Sequence, residues 1–261
     1  MTAYDPLFDV SDRTIVLTGA CGLAGRTLAP ALAHRGAKLV LVDIAAADPA
    51  AAAAALGGDA LGIACDVADA EQVGAAARAA VERFGRVDVL VNAHQHKPQG
   101  FLEAQAEDFP EELWDAVMDV NLKGVFLACR EFGRGMLERG SGSVVNLGST
   151  YGLVSSNPDL YAANSLGNPL VYSASKGGVL MLTRYLGAHW AGRGVRVNCV
   201  TPHGILNAHE PDFMRRFEAK SPMGRMMDAG ELVGAVVFLA SDASSYATGS
   251  NVVVDGGWTA W

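Results

Sequence analysis

The stretch Arg13-Thr14-Ile15-Val16-Leu17-Thr18-Gly19-Ala20-Cys21-Gly22-Leu23-Ala24-Gly25 decides the fold. Its first six residues form a brief apolar, β-branched run halted by Gly19, which reads as a buried strand over 13–18. A helical pattern follows over 23–35, and Gly36 stands where a glycine commonly closes a helix. Strand, glycine-rich turn and helix in direct succession form the first unit of an alternating α/β chain.

The alternation continues along the sequence. Further strands are expected over 38–43, 61–66, 88–92, 143–147, 195–201 and 251–254, and helices over 46–55, 69–84, 111–139, 171–192 and 231–241. Strands apolar on both faces, each followed by a helix, imply a parallel sheet covered on both sides. Right-handed crossovers then produce a doubly wound sheet of seven strands. The whole of 1–261 reads as one domain without linker or repeat. Two segments, 150–170 and 203–229, are long for plain connections, and both follow strand C-termini, where ligands bind in such sheets.

Composition agrees with a well-packed globular chain. Of 261 residues, 50% are hydrophobic and 18% charged, which excludes a disordered chain, and 30 glycines suit close backbone packing. The formal net charge of −8, with no run of Lys or Arg, argues against a nucleic-acid or anionic-membrane partner. No apolar stretch is long enough to span a bilayer, and Met1-Thr2-Ala3-Tyr4-Asp5-Pro6 lacks the features of a signal peptide, so a cytoplasmic location is expected. Cys21, Cys65, Cys129 and Cys199 are scattered without a CxxC pair and read as buried thiols.

The loop 18–25 has the character of a phosphate cradle, since glycines let backbone approach a pyrophosphate whose charge a helix N-terminus stabilises. Asp43 ends the second strand, 24 residues after Gly19. A carboxylate there accepts hydrogen bonds from ribose hydroxyls and repels a 2′-phosphate. Neither Ile44 nor Cys21 offers a compensating cation, so NAD is expected in preference to NADP. Downstream, Tyr172 and Lys176 are spaced i, i+4 on one helix face. A phenol with an ordinary pKa of about 10 becomes a better proton acceptor beside an ammonium, which suits acid/base work on a carbonyl or alcohol.

These motifs, in this order, resemble the short-chain dehydrogenase/reductase family in its compact single-domain form. The resemblance rests on the glycine loop, Asp66-Val67, Asn92, Asn121 in Val-Asn-Leu, Ser149 after Val145-Asn146-Leu147-Gly148, Tyr172-x-x-x-Lys176, Arg196-Val197-Asn198 with Pro202, and Val254-Asp255-Gly256-Gly257. It implies a Rossmann-type sheet and hydride exchange between a nicotinamide cofactor and a secondary alcohol or ketone. Tyr172 would be the acid/base, Ser149 the hydrogen-bond partner of the substrate oxygen, and Asn121 the holder of a water in the proton relay. Lys176 would hold the nicotinamide ribose and lower the Tyr172 pKa. Cofactor contacts would further involve Gly19, Cys21, Gly22, Leu23, Gly25, Asp43, Ile44, Asp66, Val67, Asn92, Ala93, Pro202 and Ile205. The family usually forms homotetramers, and apolar Trp258 and Trp261 would suit a buried tail.

The chain also departs from the family pattern. The middle glycine of the loop comes one position early, as in the extended, epimerase-like branch, and Leu23 stands in its usual place. The segment after the fourth strand reads Asn92-Ala93-His94-Gln95. His203 replaces a glycine, and Ser149 and Tyr172 are 23 residues apart because of an insertion after Tyr151. That insertion carries Ser155, Ser156, Asn157, Asp159, Tyr161, Asn164, Ser165 and Asn168, either plainly solvated or facing a hydroxyl-rich substrate. Tyr161 is followed four residues later by Ser165, so it cannot replace the Tyr172/Lys176 pair.

His94, Tyr151 and His203 are candidate substrate contacts. His94-Gln95-His96 lacks a third ligand, so no metal is expected. Residues 211–220 read as an amphipathic helix with Phe213, Met214 and Phe217 on one side, serving as core, subunit contact or lid. The insertion, Pro222-Met223-Gly224-Arg225-Met226 and the Asp-Gly-Gly-Trp-Thr-Ala-Trp end resemble oxidoreductases of bacterial surface-sugar biosynthesis, which points to a small-molecule sugar or polyol. A ketoreductase for lipid, steroid or acyl-carrier substrates is an alternative, as is a dinucleotide-binding sensor or scaffold without turnover. An epimerase is a further option, but the chain lacks room for its additional substrate domain.

Overall fold

The computed structural model describes residues 6–161 and 169–261. Seven parallel strands form one sheet: β1 (Thr14–Thr18), β2 (Lys38–Asp43), β3 (Ala60–Ala64), β4 (Val89–Asn92), β5 (Gly142–Leu147), β6 (Val195–Pro202) and β7 (Asn251–Val254). Their order is β3-β2-β1-β4-β5-β6-β7. The chain builds outward from β1 to β3, then crosses back and builds the other way from β4. Thr18 pairs with Val42 on one side and Asn92 on the other, so the direction reverses between β1 and β4.

The helices are α1 (Leu23–Ala33), α2 (Pro49–Leu56), α3 (Ala70–Phe84), α4 (Glu111–Met118), α5 (Gly124–Arg139), α6 (Pro158–Tyr161), α7 (Leu170–Trp190), α8 (Pro211–Lys220) and α9 (Leu232–Ala240). Successive strand residues point to opposite faces, and both faces are covered. Ile15, Leu17, Leu39 and Leu41 pack with Leu28 and Leu32 of α1 and Leu232 and Leu239 of α9. Val16, Val40 and Leu90 pack on the other face with Val73 of α3 and Val125 and Phe132 of α5. Two apolar layers on one sheet explain both the unbroken apolar runs and the small share of charge.

The helix expected over 111–139 is interrupted. A π-turn over Asp119–Lys123 separates α4 from α5. The helix expected over 46–55 begins later, at Pro49. Asp48, at φ +49°, accepts the Ala51 N–H at 3.0 Å and caps it, after a 3₁₀ turn over Ala45–Ala47. A short polar side chain that satisfies a helix N-terminus, followed by proline in the first turn, fixes this start.

Arg196, of the Arg-Val-Asn motif, donates to the Leu239 and Ser241 carbonyls near the end of α9. Asn198 accepts the Ser250 N–H and donates to the Ala247 carbonyl. That motif therefore ties β6 to the segment leading into β7. All four cysteines are buried and free. Burial pushes the Cys129 thiol up to about 12. No helix among the described residues is long and apolar enough to cross a membrane. Trp258 is buried, but Trp261 is 82% exposed, so only the first of the two expected tail tryptophans packs within the chain.

Candidate active site

A cleft of about 400 Å³ runs along the C-terminal ends of the strands, lined by residues that follow β1 through β6. It lies where the chain direction reverses, since crossovers running opposite ways leave a groove between the flanking helices.

At one end is the glycine loop. Gly19 has φ +66°, and a Cβ there would lie 2.5 Å from the His94 Cα. A Cβ on Gly25 would strike the Gly19 carbonyl. Close backbone packing thus requires both positions. Gly22 lines the cleft as the N-cap of α1, and neither a side-chain cap nor an acidic first-turn residue occupies that helix end. The first N–H groups of α1 are therefore available to an anion, which is the environment a pyrophosphate needs. Leu23 and Ala24 line the same end, with Cys21 and Gly25 behind the lining.

Asp43 closes this end. One carboxylate oxygen accepts the Cys21 N–H and the other the Ile44 N–H, each at 2.8 Å. Ile44, Asp66 and Val67 complete the wall. The residues fit a dinucleotide: an uncapped helix end for its phosphates, a carboxylate for a ribose and a partly apolar slot for a base.

Asn92 is placed differently. Ala93 lines the cleft, but the Asn92 side chain points into the sheet. It accepts from Thr18 Oγ1 at 3.3 Å and donates to Asn146 Oδ1 at 2.9 Å; Asn146 in turn donates to Thr183 Oγ1 at 2.9 Å. A buried amide satisfied by such a ladder serves packing, so the ribose contact expected of Asn92 does not involve its side chain.

Tyr172, Lys176 and Ser149 converge on the middle of the cleft. Tyr172 and Lys176 lie in the first turns of α7, and Ser149 caps the 3₁₀ turn after β5, accepting the Tyr151 N–H at 3.2 Å. The lowered Tyr172 pKa expected from Lys176 is not found. Burial raises it, and a hydrogen bond with Ser149 opposes that rise. Lys176 Nζ lies 5.7 Å from the Tyr172 ring centroid and donates to the Leu147 carbonyl at 2.8 Å. Burial without a carboxylate brings the Lys176 ammonium down to about 8.

Asn121 sits behind this group in the π-turn. Its Oδ1 accepts the His96 N–H at 2.6 Å, and its Nδ2 lies 3.4 Å from the His96 carbonyl and 3.5 Å from Ser175 Oγ. Ser175 Oγ donates to the Tyr172 carbonyl at 2.8 Å. The i→i+5 turn aims Asn121 between the 94–97 segment and α7, a local distortion of the kind found at functional sites. Helical periodicity alone does not show it.

The other end of the cleft is bounded by Tyr151 and His203, together with residues the sequence did not single out for this role. His94, expected as a substrate contact, instead turns its ring inward beside the glycine loop: Nδ1 bonds Thr18 Oγ1 at 2.6 Å, Nε2 is buried close to Gly124, and burial lowers the imidazole to about 3. His203 bonds Thr150 through Nδ1, stacks on Phe217 at 4.7 Å and packs on Trp258 at 4.1 Å. Its buried Nε2 has no partner among the described residues, and burial lowers it to about 4. Pro202 and Ile205 line the cleft beside it, and the Ile205 carbonyl lies 3.2 Å from His209 Nε2.

Ser155, Ser156, Asn157 and Asp159 of the insertion lie away from the cleft lining. Asp159 instead binds Lys220 at 3.1 Å and accepts Arg216 through its carbonyl at 3.0 Å, fastening the insertion to α8. Asn164, Ser165 and Asn168 fall outside the described residues. Tyr161 does reach the cleft, where its hydroxyl bonds that of Tyr151 at 2.9 Å. Phe213, Phe217 and Met226 form an apolar wall against it. Lys97 also faces the cleft, its Nζ 5.4 Å from the Tyr172 ring centroid. The only sequence sign of Lys97 was its place just after His94-Gln95-His96.

A parallel sheet with this reversal point, an uncapped helix after β1 and a Ser/Tyr/Lys cluster define a dinucleotide-dependent oxidoreductase. The chain belongs to the short-chain dehydrogenase/reductase family and acts on the CH–OH/C=O couple. The matching family model, described as enoyl-(acyl carrier protein) reductase, spans residues 20–259. D-threitol dehydrogenase of Mycolicibacterium smegmatis is 39% identical, covering 97% of this chain and 95% of its own length. The L-tagatose-forming galactitol 2-dehydrogenase of Cereibacter sphaeroides is 39% identical over 99% of each.

Among solved structures, a gluconate 5-dehydrogenase of Burkholderia cenocepacia in complex with NADP and tartrate superposes with TM-score 0.89 at 31% identity, covering 98% of each chain. A short-chain dehydrogenase of Leptospira borgpetersenii with bound NAD⁺ gives TM-score 0.86 at 28% identity, covering 99% of this chain and 97% of that one.

Proposed function

We propose that this protein is an NAD(H)-dependent dehydrogenase of polyols or sugars, interconverting a secondary alcohol and its ketone. The observation that carries the reading is the meeting of Ser149, Tyr172 and Lys176 in a cleft whose far end is closed by the Asp43 carboxylate. The nicotinamide supplies the hydride acceptor or donor. Tyr172 gives its phenol proton to the ketone oxygen in reduction and, as the phenolate, takes the hydroxyl proton back in oxidation, while Ser149 donates to that oxygen as charge develops there. Lys176 lends positive charge beneath the tyrosine. Asn121 fixes the backbone of 96 and, through Ser175, the first turn of α7.

NAD is favoured because a 2′-phosphate would meet the Asp43 carboxylate, with no cation among the described residues lining that end. The polyol class is supported by the phenols and imidazoles around the site and by the two relatives named for threitol and galactitol. A ketoreductase of acyl substrates is the second reading, favoured by the apolar wall of Phe213, Phe217 and Met226. A homotetramer, consistent with exposed Phe126 on α5 and Met181 and Tyr185 on α7, and a cytoplasmic location complete the proposal.

The test is the NADH absorbance band, followed with NAD and NADP against alditols, sugars and acyl thioesters. Oxidation of alditols with NAD supports the reading. Activity confined to acyl thioesters replaces it with the second, and tight NADH binding without turnover of any compound replaces both with a sensor. Light scattering after size-exclusion chromatography reads the assembly, and a monomer would refute the tetramer.

A further inference from the structure

We propose that Lys97 binds a carboxylate on the substrate, so that the preferred substrate is a polyhydroxy acid rather than a neutral polyol. This rests on the polyol reading above and narrows it.

The chain has five lysines, and four of them have an oxygen acceptor. Lys38 faces Asp12 at 3.4 Å, Lys123 Asp119 at 3.1 Å and Lys220 Asp159 at 3.1 Å, and Lys176 donates to the Leu147 carbonyl at 2.8 Å. Lys97 is the exception. Among the described residues its ammonium meets only the face of the Tyr172 ring, 5.4 Å from the centroid. A cation over an aromatic face keeps its three donors largely free for another partner.

Among the described residues the cleft supplies no internal anion to pair with it. Its acidic lining residues are Asp43 and Asp66, which follow β2 and β3 on the other side of β1, whereas Lys97 follows β4. Residues 162–168, which complete the insertion, are Ala-Ala-Asn-Ser-Leu-Gly-Asn and contain no ionisable side chain. The ring that Lys97 faces carries the hydroxyl meant for the reacting alcohol. An anion on the substrate atoms near the reacting carbon would therefore come to the ammonium.

The charge count favours a carboxylate over a phosphate. Among the described residues no arginine lines the cleft, and Lys176 is already bonded in the interior. One free ammonium matches a monoanion, while a phosphate usually draws a second cation or a helix N-terminus.

The experiment compares kcat/KM for threonate, gluconate and galactonate with that for threitol, glucitol and galactitol, in the unaltered enzyme and in Lys97→Gln. Calorimetric titration of gluconate into the enzyme–NADH complex gives a readout independent of turnover. The expected result is a preference for the acids that falls by about 10- to 100-fold in Lys97→Gln, the size of one lost charge-assisted hydrogen bond, with gluconate affinity falling in parallel. Three results would overturn the proposal. The unaltered enzyme could oxidise the alditols and ignore the acids, which leaves the polyol reading standing. Lys97→Gln could lower acids and alditols equally and move the pH profile, which would make Lys97 an electrostatic neighbour of Tyr172 instead. Turnover of neither set, with no gluconate binding, would remove the polyol reading together with the inference.

Discussion

The Asp43 carboxylate accepts the Cys21 N–H at 2.8 Å, so the acid that ends β2 also pins the glycine loop that follows β1. Its second oxygen is held by the Ile44 N–H. A carboxylate fixed on both oxygens by backbone donors is preorganised, and its charge stays at the cleft wall.

Replacing Asp43 with Asn removes that charge and keeps the size, at the cost of one of the two backbone hydrogen bonds, because an amide nitrogen cannot accept. The ratio of kcat/KM with NAD to that with NADP should fall by about 10-fold or more, in line with the loss of repulsion toward a 2′-phosphate. Steady-state kinetics with both cofactors measures it, and an unchanged ratio would show that Asp43 acts only through the loop.

Tyr172→Phe should cut turnover by about 100-fold or more, and Ser149→Ala by a similar factor, because one loses the proton carrier and the other the donor to the developing charge. NADH affinity, followed by fluorescence, should stay near normal in both. Turnover equal to the parent enzyme would move the chemistry away from this cluster.

Asn92 separates a packing role from a ligand role. Asn92→Ala leaves Asn146 Oδ1 without its 2.9 Å donor inside the sheet. Stability should fall by about 1–3 kcal/mol, the usual cost of an unsatisfied buried polar group. Chemical denaturation would show this loss, whereas cofactor affinity should change little.

Acid should destabilise the protein through His203. The imidazole is lowered from 6.5 to about 4 by burial, so between those values the unfolded chain binds a proton that the folded one does not. Stability on this account is complete above 6.5, falls as the pH drops, and levels off below about 4. The loss is on the order of 3 kcal/mol. In His203→Gln, the stability difference between neutral pH and about pH 4.5 should shrink by roughly 2–3 kcal/mol in urea titrations. Comparing the two pH values within each protein cancels the stacking lost with the ring. An unchanged difference would place the acid sensitivity elsewhere, His94 being the next group to test.

Gly19→Ala should abolish cofactor binding and lower the melting temperature. Its Cβ would sit 2.5 Å from the His94 Cα at φ +66°, a backbone contact no rotamer can relieve. Thermal unfolding with and without NADH checks both effects; a stable, cofactor-binding variant would mean the loop can move away from the 93–94 segment.

The sequence by itself determined the sheet and its chemistry-bearing positions. Apolar runs such as Lys38–Asp43 and Asn251–Val254 recur as strands with the expected bounds: the first is buried on both faces, the second is a partly exposed edge strand, and no turn residue interrupts either. The order of motifs likewise named Ser149, Tyr172 and Lys176, which the structure brings to one cleft.

What tertiary structure decided was direction and company. Asn92 and Ala93 are neighbours, yet one side chain enters a buried amide ladder and the other residue lines the cleft, since strand pairing with β5 sets which face each occupies. The π-turn that aims Asn121 at His96 leaves no mark in helical periodicity. Tyr161, unfit as a catalytic pair by its spacing, becomes a wall of the site through its bond to Tyr151. Lys97 acquires meaning only because packing places it over Tyr172 and puts no acid nearby among the described residues. Pattern along a chain encodes burial, whereas which polar groups meet depends on contacts between segments far apart in sequence.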